Sequence, residues 1–315
     1  MKTGIIVLIA VGATLLVGGS ALAITGAVNA NKVVSQTNTY AIEQDFMDIR
    51  IDSNVSDVYF KISEDGKASA VAVENDKYRH EIAVEDQTLV ITTKDLRKWY
   101  ERPFSFDFAK KSLTLYLPKT SYRNLEIHGS TGDFESTKDF DFENALIQLS
   151  TGDMCMKSDV HGAFEGKVST GNIDIEGATM NALTLEGTTG RTHLKDVKVA
   201  EGINLKSSTG DIHLEAVRAN SLNATASVGE VTLTDVIVKK HLQAKTSTGR
   251  ITLNDCDAET LRLETSAGSI WGSLLSPKIF NVHTSTGKVN VPTSTTGGLC
   301  EVYTSTGSVT LTIKE

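Results

Sequence analysis

A short motif, Ser-Thr-Gly or a close variant, recurs at nearly constant spacing and limits the folds that this chain can adopt. It occurs ten times at intervals of 19 or 20 residues, and its copies end at Gly132, Gly152, Gly171, Gly190, Gly210, Gly229, Gly249, Gly268, Gly287 and Gly307. A fixed period of this size indicates a solenoid in which each copy forms one coil. Leucine-rich repeats have a similar period, but their L-x-x-L-x-L-x-x-N pattern is absent here.

Apolar and polar residues alternate on both sides of each glycine. Apolar side chains precede the glycine by seven and five residues, as at Leu261 and Leu263, and follow it by two and four, as at Ile251 and Leu253. A third apolar column follows the glycine by seven residues and contains Val197, Val217, Val236 and Cys256. Alternation with a period of two is typical of strands with one buried face. The pattern therefore predicts an all-β, single-stranded β-solenoid, β-helix-like, with two short strands flanking the turn of each coil.

The repeats define the predicted boundaries within the exported part of the chain. Residues 121–315 are expected to form the regular ten-copy solenoid, about 48 Å long at a strand spacing of about 4.8 Å. Residues 41–120 contain strand-like runs without a regular period, and we expect them to form an irregular β start and cap of the same solenoid. Residues 29–40 are small and polar and are interpreted as a tether.

The amino-terminal segment indicates the compartment. Residues 4–28 carry no charge and are long enough to span a bilayer, which takes about 20 apolar residues. We interpret them as a transmembrane signal-anchor helix, with residues 1–3 cytoplasmic and the remainder extracellular at the cell membrane. A cleaved signal peptide is the alternative, because Ala21-Leu22-Ala23 resembles a small-residue cleavage site. The net charge of −8 and the lack of a basic run argue against nucleic acid as a partner.

The repeated Ser, Thr and Gly are interpreted as architecture rather than as a catalytic site. The residue two before the glycine is Ser in nine copies, and the residue one before it is Thr in eight. A catalytic serine occurs once beside a base, whereas equivalent hydroxyls in every coil are expected to bond backbone and one another. The ten glycines themselves are expected to form a structural turn column with positive φ. No paired-acid column of the glycosidase kind emerges, so we expect no catalytic residue and no cofactor.

One outward column has residues that bind metals in other proteins. Cys155, Asp174, His193 and His213 all stand three residues after the glycine in consecutive coils. Their stacking would place zinc-type ligands on one face, although a polar outer face is the favoured interpretation. Calcium binding would require an acidic column with a G-G-x-G-x-D pattern, which is not present. The three cysteines, an odd number, cannot form a complete disulfide framework.

Several segments together resemble a known family. "SLTLYLPK", "NLEIHGSTGDF" and the reiterated STGD-type turns are similar to the putative-adhesin, β-strand-repeat family of bacterial, mostly Gram-positive, envelope proteins, a domain of unknown function. The acidic residue after the glycine matches at Asp133, Asp153 and Asp211, whereas Arg191, Arg250 and Lys288 depart from the pattern. The resemblance implies a membrane-tethered, surface-exposed solenoid with adhesion or envelope-stress roles and no established catalytic residues.

These observations favour a non-enzymatic, membrane-anchored cell-surface protein that interacts with other envelope components. The alternatives are an accessory or sensor protein of an envelope-stress or transport system and, least favoured, a β-helical glycan-processing enzyme. The expected partners are the membrane, through the amino-terminal helix, and a cell-wall glycan or envelope protein. The sequence ends at Lys314-Glu315, directly after the tenth copy, so we expect the open sheet edge at that end either to be capped by a partner or to self-associate.

Overall fold

The computed structural model describes residues 35–97 and 111–314, which form 27 strands and no helix. The first seven strands are β1 Gln36–Ile42, β2 Asp48–Ser53, β3 Asp57–Ile62, β4 Ala68–Glu74, β5 Tyr78–Glu85, β6 Thr88–Asp95 and β7 Ser112–Leu117. The next ten are β8 Ser121–Thr131, β9 Phe134–Ser136, β10 Asp141–Thr151, β11 Met154–Met156, β12 Asp159–Thr170, β13 Ile173–Glu176, β14 Thr179–Thr189, β15 Thr192–Lys195, β16 Lys198–Thr209 and β17 Ile212–Glu215. The last ten are β18 Arg218–Val228, β19 Val231–Thr234, β20 Ile237–Thr248, β21 Ile251–Cys256, β22 Thr260–Ala267, β23 Ile270–Leu274, β24 Lys278–Thr286, β25 Val289–Asn290, β26 Gly298–Thr306 and β27 Val309–Ile313.

The strands form two sheets that face each other across one core. The long-strand sheet has 13 strands in the order β24-β26-β22-β20-β18-β16-β14-β12-β10-β8-β2-β6-β5. The short-strand sheet has 14 strands in the order β1-β4-β7-β3-β9-β11-β13-β15-β17-β19-β21-β23-β27-β25. Each coil from β8 onward contributes one parallel strand to each sheet, so the all-β solenoid predicted from the repeats is confirmed.

The predicted inward columns are the core. Ile251, Leu253 and Cys256, which stand two, four and seven residues after one glycine, are fully buried, as are their counterparts in the preceding coil, Val231, Leu233 and Val236. Equivalent apolar side chains lie opposite one another in register, for example Leu242 and Leu261. A single coil could not offset its ordering entropy of roughly 1–2 kcal/mol per residue, but stacked columns bury one another. The core is therefore continuous along the stack.

Each coil turns at two corners, and unusual backbone recurs at both. At the first corner, nine of the ten repeat glycines have φ between 131° and 154°, a region that side chains rarely allow. At the second corner, six residues after the glycine, five successive coils have a left-handed backbone, with φ between 51° and 65°. That position is occupied in successive coils by Gly177, Asp196, Ala216, Asp235 and Asp255.

The amino-terminal part closes one end of the solenoid. Strands β2, β3 and β7 continue the parallel stack, whereas β1 pairs antiparallel with β4 and β5 pairs antiparallel with β6. The outermost strands at this end are β1 and β5. A group of aromatic rings fills the core beneath them, with Phe60 packed edge-on against Phe134 and Phe140. These strands form an antiparallel cap on the parallel stack.

The other end of the stack departs from sequence order. The tenth copy, β26 and β27, lies between the eighth and the ninth, so that β24 and β25 of the ninth copy are the outermost strands. The ninth copy carries Pro292 directly after its short strand. Proline lacks the N–H needed in an interior ladder and is confined to edges, which explains the placement. The open edge is therefore formed by the ninth copy and not, as expected, by the tenth.

Within residues 35–97 and 111–314, no helix has the length and hydropathy required to cross a membrane. The predicted signal-anchor at 4–28 and the cytoplasmic residues 1–3 lie outside the described residues, as do residues 29–34 of the predicted tether at 29–40. Residues 36–40 of that tether lie in strand β1.

Candidate functional site

An exposed line of hydroxyl side chains runs along the first corner of the solenoid. It consists of the two residues before each repeat glycine and is named here the hydroxyl ridge. Its pairs, in stack order, are Ser130-Thr131, Ser150-Thr151, Ser169-Thr170, Thr188-Thr189, Ser208-Thr209, Ser227-Val228, Ser247-Thr248, Ser266-Ala267, Ser305-Thr306 and Ser285-Thr286. All of these residues are exposed except Ser169, which is half-buried. Neighbouring pairs are about 4.8 Å apart, the spacing of paired strands.

The ridge hydroxyls do not form the side-chain hydrogen bonds that join one coil to the next. Toward the carboxyl end of the stack, threonines one position earlier have that role, and their side chains point inward. Thr246 donates to the Gly229 carbonyl of the preceding coil at 2.9 Å, and Thr265 donates to Gly249 at 3.0 Å. Within the part of the chain that the structure describes, Ser130 alone among the ridge hydroxyls bonds another protein group, Asn54 Oδ1 at 3.3 Å. The ridge therefore presents donors and acceptors that are free for a ligand.

The position after the glycine has a structural role that the mixed charges had hidden. The Asp133 carboxylate accepts the backbone N–H of Asp153 at 2.8 Å, and Asp153 accepts that of Asn172 at 2.7 Å. Asn172 in turn accepts the N–H of Arg191 at 3.0 Å. An acidic or amide residue here joins one coil to the next, and the chain of bonds ends where Arg191 supplies no acceptor.

The ten glycines lie where the turn column was expected, one above another. A Cβ atom on Gly249 would lie 1.9 Å from the Gly229 carbonyl oxygen, and one on Gly210 would meet Gly190 at the same distance. The glycine N–H groups also bond across coils, as from Gly249 to the Ala267 carbonyl at 3.0 Å. Only glycine allows this close approach.

The candidate metal column is assembled in register on the outer face of the short-strand sheet. Cys155 lies opposite Asp174, Asp174 opposite His193, and His193 opposite His213. His193 Nδ1 is 3.4 Å from Asp174 Oδ1, which Arg191 also contacts at 3.3 Å. No group of three His, Cys, Asp or Glu side chains that could hold a metal ion is found among residues 35–97 and 111–314. The column therefore offers at most the His193–Asp174 pair.

Charges on the outer face of the long-strand sheet form ion pairs between coils. Glu186 lies between Lys167 at 3.4 Å and Lys206 at 3.7 Å in the flanking coils. Lys245 and Glu264 form a closer pair, at 2.7 Å. Solvent-exposed pairs of this kind stabilise by roughly 0–1 kcal/mol, and an ionic ligand would have to compete with them. This face is therefore a weaker candidate for binding than the ridge.

A buried polar cluster in the cap was not predicted from the sequence. Ser56 Oγ lies 3.2 Å from His80 Nε2, and His80 Nδ1 lies 2.9 Å from Glu74 Oε1. Their exposed fractions are 3%, 6% and 2%. The sequence of β4 does indicate such a cluster. Glu74 continues the inward series of Ala70 and Ala72, and a charged residue at a core position requires polar partners.

The order serine, histidine and carboxylate is that of a hydrolase triad, but the surroundings do not suit a nucleophile. The Ser56 N–H donates to Ser53 Oγ at 3.2 Å, and the Asp57 N–H donates to the Lys111 carbonyl at 3.1 Å. Neither is free to stabilise an oxyanion, which acyl transfer requires. Since the serine is also buried, the cluster is interpreted as a clasp that holds the cap strands together.

Electrostatics support the clasp. Burial raises the pKa of the Glu74 carboxyl, but the hydrogen bonds that it accepts, first from His80, outweigh this effect and lower the pKa to about 2. Asn38 and Tyr40 of β1 also donate to Glu74. One carboxylate therefore joins β1, β4 and β5, the strands that close the end of the solenoid.

The geometry defines a class of protein, a two-sheet parallel β-solenoid with an antiparallel cap at one end. The chain belongs to the Toastrack DUF4097 family, whose sequence model matches residues 46–235 and 200–315. A comparison with curated proteins gives no match.

Two solved structures are similar to this chain, and the first of them shares its fold. A protein described as a "putative adhesin" from Parabacteroides distasonis ATCC 8503 is 17% identical, with a TM-score of 0.50, covering 76% of this chain and 97% of that one. A "putative adhesin" from Bacteroides fragilis NCTC 9343 is 21% identical, with a TM-score of 0.43, covering 77% of this chain and 98% of that one.

Proposed function

We propose that this protein is a non-enzymatic, membrane-anchored surface rod that binds a repetitive, polyhydroxylated polymer such as a cell-wall glycan. The observation that carries the proposal is the hydroxyl ridge, with one exposed pair in each coil and a single protein-bonded hydroxyl, that of Ser130. A hydroxyl both donates and accepts hydrogen bonds, which matches the hydroxyls of a neutral glycan.

The regular spacing supports a polymer rather than a small molecule. Each exposed hydrogen bond contributes only about 0.5–1.5 kcal/mol, so a single coil would bind weakly. Ten coils in register offer many such contacts, and binding at one coil raises the effective concentration of the polymer at the next. Affinity is therefore expected to grow with the length of the ligand.

Anchoring and surface location are supported by the uncharged run at residues 4–28, preceded by Lys2. The absence of catalysis is supported by the clasp, where the Ser56 hydroxyl is buried and the nearby N–H groups are occupied.

The test is a co-sedimentation assay of the protein with insoluble wall glycan. The ridge variant replaces Thr209, Thr248 and Thr306 by valine, which the fold already accepts at Val228. The control variant makes the same change at Thr232, Thr252 and Thr310, which lie on the outer face of the short-strand sheet.

We expect the ridge variant to lose at least tenfold in affinity and the control variant to bind as the unaltered protein does. Equal binding by all three proteins, or an equal loss in both variants, would show that the ridge is not the binding surface.

A further inference from the structure

We propose that two copies of this protein dock end to end through the open edge formed by β24 and β25, related by a two-fold axis. The pairing does not depend on the polymer proposed for the ridge, because it uses the end of the solenoid rather than its corner.

The open end exposes apolar side chains that the interior coils bury or lack. Val289 of β25 is 47% exposed, whereas its partner Val309 in the covered strand β27 is fully buried. Phe280 and Val282 continue the inward columns but are only partly buried, because no coil covers them. The outermost coil therefore exposes core side chains to solvent, and these side chains lie between the unpaired backbone edges of β24 and β25.

The shape of this end selects its occupant. A partner must supply one strand edge to β24, a second to β25, and an apolar slice between them. The end of another solenoid supplies all three at once, whereas a single added strand would cover one edge and leave the core exposed.

The occupant must be the same end of a second copy. The opposite end of the stack is occupied by β1 and β5, and β5 displays Arg79, Glu81 and Glu85 on its exposed side. Charges on an outermost strand oppose edge-to-edge pairing. Two open ends that meet about a two-fold axis reverse the strand direction, so the new pairs are antiparallel.

The charges of β24 permit this self-pairing. Lys278 is the only Lys, Arg, Asp or Glu in the strand, and it is buried and paired with Asp257 at 2.7 Å. No like charges therefore oppose each other along the paired edge.

The area is sufficient for a stable contact. Nine residues of β24 extend about 30 Å, and two sheets about 10 Å apart with their outer side chains are about 20 Å thick. Each partner would bury roughly 600 Å², and the two together about 1,200 Å², the lower bound for specific interfaces.

The dimer has a consequence if the anchoring in the proposed function is correct. Gln36 of β1 lies at the end opposite to β24, so a two-fold pair holds its two copies of Gln36 at the far ends of a double-length stack. That arrangement suits molecules anchored on two facing surfaces. The pairing itself does not rest on the anchoring.

The test measures the association of the full chain in detergent micelles by light scattering with separate detection of protein and detergent mass. Val289→Lys places a charge on the open edge. Val228→Lys, an equally exposed valine in the ridge at 51% exposure, is the matched control, and the thermal midpoint of each variant checks its folding.

We expect a dimer for the unaltered chain and for the control, and at least a tenfold weaker association for Val289→Lys. A monomer at every concentration, or a dimer that Val289→Lys does not weaken, would overturn the proposal.

A second measurement locates the contact without altering it. Nitroxide labels are placed at Ser285 or at Ser130 in a Cys155→Ser background, and distances between copies are measured by pulsed electron resonance. The two sites are nine coil spacings apart, so in the proposed dimer a pair at Ser130 lies about 86 Å further apart than a pair at Ser285. We expect a distance between copies for Ser285 only, and a short distance at Ser130 would place the interface elsewhere.

Discussion

Replacing Gly249 by alanine should separate two coils of the solenoid at one corner. The backbone at Gly249 has φ of 153°, and an added Cβ would lie 1.9 Å from the Gly229 carbonyl oxygen, a backbone atom that cannot turn away. Relief requires the coils to move apart. That movement breaks the bond from Gly229 N to the Thr248 carbonyl at 3.0 Å and the bond from Thr246 Oγ1 to the Gly229 carbonyl at 2.9 Å.

The expected cost follows from these losses. Two hydrogen bonds contribute about 1 kcal/mol each. Backbone strain at an unfavourable φ adds roughly 1–3 kcal/mol. The free energy of unfolding should therefore fall by about 3–5 kcal/mol, a large share of the roughly 5–15 kcal/mol typical of a folded protein.

Substitutions at two other glycines separate the cost of backbone strain from the cost of moving the coils apart. Gly66 has φ of 71° but nothing within 4 Å of its Cβ position, so Gly66→Ala should cost only the backbone strain, about 1–2 kcal/mol. Gly187 needs no positive φ, and its nearest neighbour is Thr192 Oγ1 at 3.6 Å. Gly187→Ala should therefore be neutral or stabilise by about 0.5–1 kcal/mol.

The assay is urea denaturation followed by circular dichroism, with the slope of each transition compared before the midpoints are used. If Gly249→Ala proves no more destabilising than Gly66→Ala, the close approach of successive glycines does not hold the coils together.

Two further predictions concern other parts of the fold. Ala216 is the apolar member of the left-handed second corner, with φ of 54°. Ala216→Asn should stabilise the protein by about 0.5–1 kcal/mol, because asparagine tolerates this conformation. The same change at Ala267, which has no positive φ, should give no gain in thermal midpoint. Because folding lowers the pKa of Glu74 from 4.5 to about 2, the clasp stabilises the protein above pH 4.5, and that stability is lost as the pH falls toward 2. Glu74→Gln should remove this part of the pH dependence in denaturation measured between pH 2 and 6, and an unchanged pH profile would contradict the assignment.

The repeated part of the fold could be predicted from the sequence because the glycine spacing and the apolar alternation recur together in successive copies. Leu242 and Ala244 occupy alternate positions of β20 and both face the core. The same alternation places the Thr246 side chain in the core, so its inward hydroxyl was also predictable. The repeat itself drew attention to Ser247 and Thr248, whose hydroxyls are exposed and take no part in the coil-to-coil bonds.

The unrepeated features could not be predicted in the same way. Glu74 and His80 lie in the cap, where no column shows which residues meet, and Ser56 is joined to them only by the fold. The order of the last two coils was hidden because both copies match the same columns. Pro292 was the one local sign that the ninth copy belongs at an edge.

The exchange of the ninth and tenth copies makes the last step of assembly non-sequential. Residues 298–313 lie between two coils that precede them in the chain. The ninth copy therefore reaches its final neighbour only when the tenth copy is present. A chain cut after Asn290 would not simply be one coil shorter, since its ninth copy would come to rest where the tenth now lies.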